Sequence, residues 1–556
     1  MRLLLAGGVA TVTALGLAAI EPTVITPDEK RAADTIRAHR IRADVRFLAS
    51  DLLEGRAPAT RGDALARAYV ASRFEALGLE PGAPGGDWYQ PVEMVGVTST
   101  CPETVRVTGR AGSESLQLRR DYIAFSGVQA KEARVSDAEI VFVGYGIVAP
   151  EYRWDDYKGA DLRGKVLLFV NNDPESDPAL FEGKRRLYYG RWDYKYARAA
   201  ELGAVGALII HTDHSAGYRW QVVQSSFTGE QLSLPETETP TLRVKGWLSD
   251  DASRRLVQIS GRDLDGLLAQ AESREFRPVP LGVKLSLALE NEVSHRTSAN
   301  VIGRLPGRDP VLGKEAVLYT AHHDHLGVRK GANGEPAIYN GALDNASGVA
   351  SMLAIAEAFT ALPERPRRSI LFASVTAEES GLLGSEMLAK SPPVAAGRLS
   401  ADINIDGVNI WGRTRDVAVV GLGKSTLDEW IRAIAGAQDR VVVPESFPDK
   451  GAYYRSDHFS LARIGVPSAY TDAGTDVRGR PAGWGRRQQE AWEAAHYHQP
   501  SDDLTDDWDL SGAVEDMQLL FLVGAKVADA PLGPTWRPGD EFEAARKKAL
   551  AAIGGQ

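Results

Sequence analysis

From Ser298 onward, short apolar runs alternate with helical spacings, and this alternation limits the possible folds more than any other feature of the chain. Ala316-Val317-Leu318-Tyr319 reads as a buried strand, Val349, Met352, Leu353 and Ala356 share one helical face, and Ser369 to Val375 reads as a strand again. Strands that follow one another in this way through helices lie mostly parallel. The expected core is therefore α/β, a mainly parallel or mixed central sheet flanked by helices on both faces. Ligands of such sheets bind outside the carboxyl ends of the strands.

Upstream, Ala66, Tyr69, Val70, Phe74 and Leu77 have helical spacing, with Gly78 as the stop. From about Val135 the texture changes to short strands: Ile140 to Val143, Val166 to Val170 and Ala207 to Ile210, with a helix from Tyr194 to Leu202 before the last. This stretch reads as a small unit of its own. At the start, MRLLLAGGVATVTALGLAA joins Arg2 to a short apolar run ending in Gly16-Leu17-Ala18. Residues 1–18 are thus expected to be a cleaved export signal leaving no stable membrane anchor, which puts the protein in the periplasm or outside the cell. Cys101 is the sole cysteine, so no disulfide framework supports the fold. A net charge of -10 without a dominant Lys/Arg cluster argues against nucleic acid as partner.

Metal-ligand residue types gather at the predicted strand ends and the loops between them. They occur in His322-His323-Asp324-His325, Asp344-Asn345, Glu378-Glu379 and Asn404-Ile405-Asp406, and again in His496-Tyr497-His498. Zinc takes imidazole and carboxylate where thiolate is lacking, and a catalytic site keeps a position open for water. Two histidines and three carboxylates hold two ions if one carboxylate bridges. The Glu378-Glu379 pair divides the work: Glu379 binds metal, while Glu378 takes the proton of the attacking water and passes it to the leaving amine. Asp324 is placed to hydrogen-bond the free ring nitrogen of His322.

The order H-x-D, G-x-x-D-N-A-S-G, E-E-x-G-L-x-G-S, N-x-D and Y-H-x-P-S-D resembles the co-catalytic zinc exopeptidase family that includes bacterial leucyl aminopeptidases and glutamate carboxypeptidases. The resemblance implies that Asp344 bridges two zinc ions, that His322 and Asp406 complete one site, and that Glu379 and His498 complete the other. It implies an oxyanion-supporting role for Tyr497 and a cis peptide between Asp344 and Asn345. Cobalt or manganese can replace zinc in such a ligand set. The middle segment, with Gly144-Tyr145-Gly146 and the strand at Lys165, looks like the small, mainly-β protease-associated domain that some members carry as an insertion. The expected limits are 24–125 for the first part of the catalytic domain, 126–294 for the insertion, 295–540 for the rest of the catalytic domain and 541–556 for a polar tail.

Other residues carry plainer readings. His323, His325 and His496 match no ligand position and are expected to support the ligands from behind or to be structural, while His458 is a candidate substrate contact on the pocket wall, with a packed loop as the other reading. The loop from Arg478 to Arg487 reads as solvated, and Trp192, Tyr194, Tyr218 and Trp220 as packing residues. The activity expected is that of an exported zinc exopeptidase acting on peptides, foremost an aminopeptidase using a water shared by the ions. The alternatives are a glutamate carboxypeptidase-like dipeptidase or carboxypeptidase, a single-zinc acyl-transferring cyclase, and a binding module that has lost catalysis. Oligomeric state is not legible.

Overall fold

The computed structural model describes residues 25–237, 240–330 and 334–554, so the export signal expected at 1–18 lies outside the described residues. The central sheet uses β1 (Tyr89–Thr100), β2 (Val279–Leu305), β3 (Ala316–His322), β4 (Ser369–Val375), β5 (Leu399–Asn404), β6 (Asp416–Val420), β7 (Val441–Pro444) and β8 (Ser468–Asp472). Across it the order is β1-β2-β4-β3-β5-β8-β6-β7. The four central strands β4, β3, β5 and β8 run parallel, and β2 and β6 flank them antiparallel.

Alternation along the central strands explains why they read as unbroken apolar runs. Val317, Tyr319 and Ala321 of β3, with Ile370 and Phe372 of β4, enter one core. Ala316 and Leu318, with Leu371, Ala373 and Val375, enter the opposite one. Both faces are therefore covered. The first face carries α1 (Ala38–Leu48), α2 (Arg61–Ala76), α3 (Ser347–Thr360), α5 (Leu427–Ala437) and α8 (Ser511–Asp529), and the second carries α4 (Leu383–Lys390) and α6 (His458–Arg463). Between α6 and α8 lies α7 (Trp484–His496). The polar segment 541–556 contains α9 (Glu543–Gly554), fixed by hydrogen bonds from Arg546 to the carbonyls of Ala396 and Leu399.

In the middle segment, Tyr122–Ser126, Val244–Ser249, Gly206–His211, Val166–Val170 and Glu132–Phe142 pair side by side in that order, and Glu132–Phe142 pairs with the first half of β2. β2 is 27 residues long and runs through positions 294 and 295. Its middle pairs with β1 and its last residues with β4, so one strand belongs to both parts of the molecule. A second connection lies at 185–188. Arg185 pairs with Glu445 at 3.2 Å, the Arg186 amide donates to the Pro448 carbonyl, and the Tyr188 ring packs on Tyr454 and Phe459. Among the described residues no helix is long and apolar enough to cross a membrane.

Candidate metal centre

The carboxyl ends of β3, β4 and β5 meet at one edge of the sheet, and each delivers an expected ligand. His322 is the last residue of β3. Asp406 follows β5 by two residues, and Glu378 and Glu379 follow β4 after a tight turn at Ala377, which takes φ 55°. Asp344 comes from the loop leading into α3, and His498 lies two residues past α7, itself at φ 55°. All five expected ligands converge.

Asp344 occupies the middle. Its Oδ1 is 3.3 Å from His322 Nε2 and its Oδ2 is 3.2 Å from His498 Nε2, so the two oxygens face different imidazoles. Asp406 Oδ1 lies 3.3 Å from His322 Nε2, and Glu379 Oε2 lies 3.1 Å from His498 Nε2. The peptide joining Asp344 to Asn345 is cis, as the resemblance implies. These donors fit divalent cations by chemistry and by charge. Burial disfavours a charged His322, yet Glu378, Asp344 and Asp406 outweigh it and raise its pKa well above the usual imidazole value. Against the same burial penalty, Glu379 and Asp344 drive His498 up to about 10. Burial alone would raise the Glu379 pKa, but His498 and His325 hold it at about 2. A buried group of carboxylates that forces protons onto its histidines is short of positive charge, which metal ions would provide.

His325, expected to support the ligands from behind or to be structural, joins the centre. Its Nδ1 is 2.7 Å from Glu379 Oε1, and donor atoms of His325, Asp344 and Glu379 lie within 4.8 Å of one another. Neither His325 ring nitrogen nor Glu379 Oε1 makes a well-aligned hydrogen bond, as expected of groups aimed at an ion. Asp324 acts differently from the expectation. His322 Nδ1 lies 3.2 Å from the Asp324 backbone carbonyl, whereas the carboxylate stays 3.8 Å away and instead accepts from the amides of Glu378 and Glu379 at 3.1 and 3.3 Å. It therefore orients Glu378 and Glu379, leaving the imidazole to the main chain.

Glu378 is half-buried, and desolvation together with Asp406, Glu379 and Asp457 pushes its carboxyl well above the usual range. Tyr497 stacks on His498, with centroids 3.9 Å apart, and accepts a hydrogen bond from Arg455 at 3.2 Å. His458 does not line the pocket. It is fully buried, edge-on to Tyr453 and tilted against Tyr470, and burial lowers its pKa to about 3. His323 bonds Asp63 and Ser374, and His496 bonds Ser501, both away from the ligands. Arg478 binds the carbonyls of Thr414, Gln438 and Asp439, and Arg480 stacks on Trp484, so the basic loop serves the surface.

Three supporting residues escape sequence reasoning. Asn345 accepts from the amides of Gly348 and Gly407 and donates to Ile405, which ties the Asp344 loop to the Asp406 loop. Asp502 accepts from the amides of Leu343 and Asp344 at 2.8 and 3.1 Å. Both stand inside the recognised motifs, which was the available signal. Arg56 had none. Fully buried, its guanidinium donates to the carbonyls of His323, Leu48, Asn340 and Gly341 and so pins the chain on both sides of the ligands. Gly55 before it has φ 69°, and a Cβ there would lie 2.4 Å from the Tyr339 carbonyl oxygen, so only glycine brings Arg56 in.

Known proteins resemble this chain in the same region. Residues 300–522 match Peptidase family M28. Aminopeptidase NAALADL1 of Mus musculus is 31% identical over 176 residues, 28% of this chain and 22% of that protein. A vacuolar membrane protease of Yarrowia lipolytica is 33% identical over 114 residues, 20% of this chain and 10% of its own length. The chain thus spans under a quarter of these curated relatives. Among solved structures, an aminopeptidase from Aneurinibacillus sp. strain AM-1 superposes with a TM-score of 0.50 at 19% identity, over 92% of this chain and 97% of that one, a likeness of fold.

Proposed function

We propose that this protein, whose residues 300–522 match Peptidase family M28, is a two-zinc exopeptidase that removes the N-terminal residue of peptides. The observation that carries the reading is the placement of Asp344, one oxygen toward His322 and the other toward His498. A carboxylate so disposed suits a bridge, with Asp406 beside the first histidine and Glu379 beside the second.

When bound, the ions supply Lewis-acid polarisation of the scissile carbonyl and of the attacking water. The chain's own groups do the rest. Glu378, its carboxyl raised by burial, takes the water proton and delivers it to the leaving amine. Asp324 holds the Glu378 and Glu379 amides, which keeps the base from rotating out of line. The Tyr497 hydroxyl, buttressed by Arg455, supports the charge that develops on the carbonyl oxygen. The middle segment, read as a protease-associated domain, narrows access to the pocket from the side of 185–188, and the compartment is the periplasm or the exterior.

Metal analysis of the purified chain combined with a panel of fluorogenic aminoacyl substrates tests the reading. Two zinc ions per chain and hydrolysis of aminoacyl substrates are expected. A single ion, or cleavage restricted to C-terminal glutamyl peptides, would overturn it in favour of the cyclase or the carboxypeptidase.

A further inference from the structure

On the face of the sheet that carries α2, a buried carboxylate gathers β2 and the ends of β3 and β4. Asp63, in the first turn of α2, is fully enclosed. Its Oδ1 accepts from His323 Nε2 at 3.1 Å, and its Oδ2 accepts from the Ala59 amide and from Arg67 Nε, each at 3.1 Å. The Ser298 hydroxyl of β2 donates across both oxygens at 3.0 and 2.9 Å. Ser298 Oγ in turn lies 2.9 Å from Oγ1 of Thr376, the residue that follows β4 and leads into the turn before Glu378. On the other side of the imidazole, His323 Nδ1 lies 3.0 Å from the Ser374 hydroxyl of β4.

Serine, histidine and carboxylate stand here in the order of a nucleophilic triad, yet Ser374, His323 and Asp63 have no exposed surface, so no substrate reaches them. Each contact is matched in kind. With the Nε2 proton given to the carboxylate, Nδ1 accepts from the serine hydroxyl, and a carboxylate accepts on all sides. A buried network satisfied in this way is rigid. The strand shows what the rigidity serves. His322 and His323 are neighbours in extended chain, the His323 amide continuing the ladder to the Val375 carbonyl at 2.9 Å, so their rings point to opposite faces and turn together. Holding the ring of His323 therefore holds that of His322, whose Nε2 lies 3.3 Å from both Asp344 and Asp406. The branch through Ser298 reaches the turn at Ala377 that presents Glu378 and Glu379.

We infer that Asp63 is a positioning residue of the metal centre: through His323 it sets the direction of the His322 imidazole, and through Ser298 and Thr376 it steadies the turn that carries Glu378 and Glu379. The inference rests on the two-zinc exopeptidase reading above. Asp63 itself touches neither substrate nor metal, and it puts the control of a ligand on an N-terminal helix, outside residues 300–522.

Asp63→Asn keeps the shape of the side chain but turns an N–H toward the donors around it, and His323→Phe keeps a ring without either bond. Both are compared with wild type as full chains loaded with zinc, and with cobalt, whose visible bands report the geometry of its ligands. In both variants zinc affinity by chelator competition is expected to fall about 10- to 100-fold, the cobalt bands to shift, and kcat to fall by a similar factor with KM within about twofold. His323→Gln, whose amide can still donate to Asp63, should recover part of each loss. Ser249→Ala removes the cap of the helix Asp250–Gln258 in the middle segment and controls for lost stability alone, so affinity, bands and kcat should stay at wild type. Wild-type affinity and bands in Asp63→Asn or, should that chain not fold, in His323→Phe would overturn the inference, as would equal losses in Ser249→Ala. The two readings fail separately. A wild type that binds zinc but hydrolyses no peptide removes the exopeptidase reading, while the affinity and the bands still decide for or against Asp63; an active wild type with an indifferent Asp63→Asn removes Asp63 alone.

Discussion

At the scale of single residues, the centre divides into groups legible from spacing and groups that only the folded chain reveals. His322, Asp344, Glu379, Asp406 and His498 were readable because each stands in a short motif at the end of an apolar run. His325 and Arg56 were not. The first matches no ligand position of the motif that holds His322, and the second acts through carbonyls, which leave no trace in a side-chain pattern. His458 stood open between pocket wall and packed loop because closeness to a motif says nothing of direction, and its ring turns into an aromatic cluster. Replacing Glu378 with Gln should leave metal content intact and lower kcat by about 10²-fold or more, as loss of a general base does; full turnover would remove the assignment. His458 also predicts a pH effect. The unfolded chain takes up the imidazole proton near 6.5 and the folded chain only near 3, so stability drains away as pH falls through that window. In His458→Phe, denaturant titrations between pH 6 and 4 should show a shallower acid slope than wild type, by up to about 1.4 kcal/mol per pH unit.

At the scale of elements, strands β3 and β4 and helix α3 lie where periodicity puts them, because their burial on both faces writes itself as an uninterrupted apolar run. The long strand β2 could not be read whole. Its first half alternates apolar and polar while its last residues are buried on both sides, so one element carries two patterns. The segment 171–191 had no periodicity to read, since its order comes from contacts distant in sequence. Lys195, fully buried, donates to the carbonyls of Tyr145, Asn172 and Tyr189, and Tyr188 plugs between Tyr454 and Phe459. Tyr188→Ala should cost about 3 kcal/mol by urea denaturation. It should also lower kcat more than it raises KM, because the turn bearing Arg455, the buttress of Tyr497, loses its support; an unchanged kcat would show the contact to be packing alone.

For the molecule as a whole, metal and fold are linked. Candidate ligands from five separate loops and strand ends converge on one place, so ions that bind there favour the folded chain in proportion to their occupancy. Chelation should lower Tm by several degrees, and zinc, added back, should restore it; a Tm indifferent to chelator would argue against a tightly held pair. Heating should give one cooperative transition in place of two, since the pairing of β2 with both Glu132–Phe142 and β4 leaves no seam at which one part can melt first.

That shared strand also governs what happens when the polypeptide is cut. Nicking it between residues 290 and 301 would interrupt the ladder that pairs with β1 from end to end, leaving β1 the shorter pairing with Glu230–Ser233 and exposing raw amide rows where the ladder frays, each a template for sticking to its own kind. Protein engineers wishing to transplant the peptidase half onto another scaffold would do better to keep the ribbon intact and graft at the surface turns on the outer side of the middle segment.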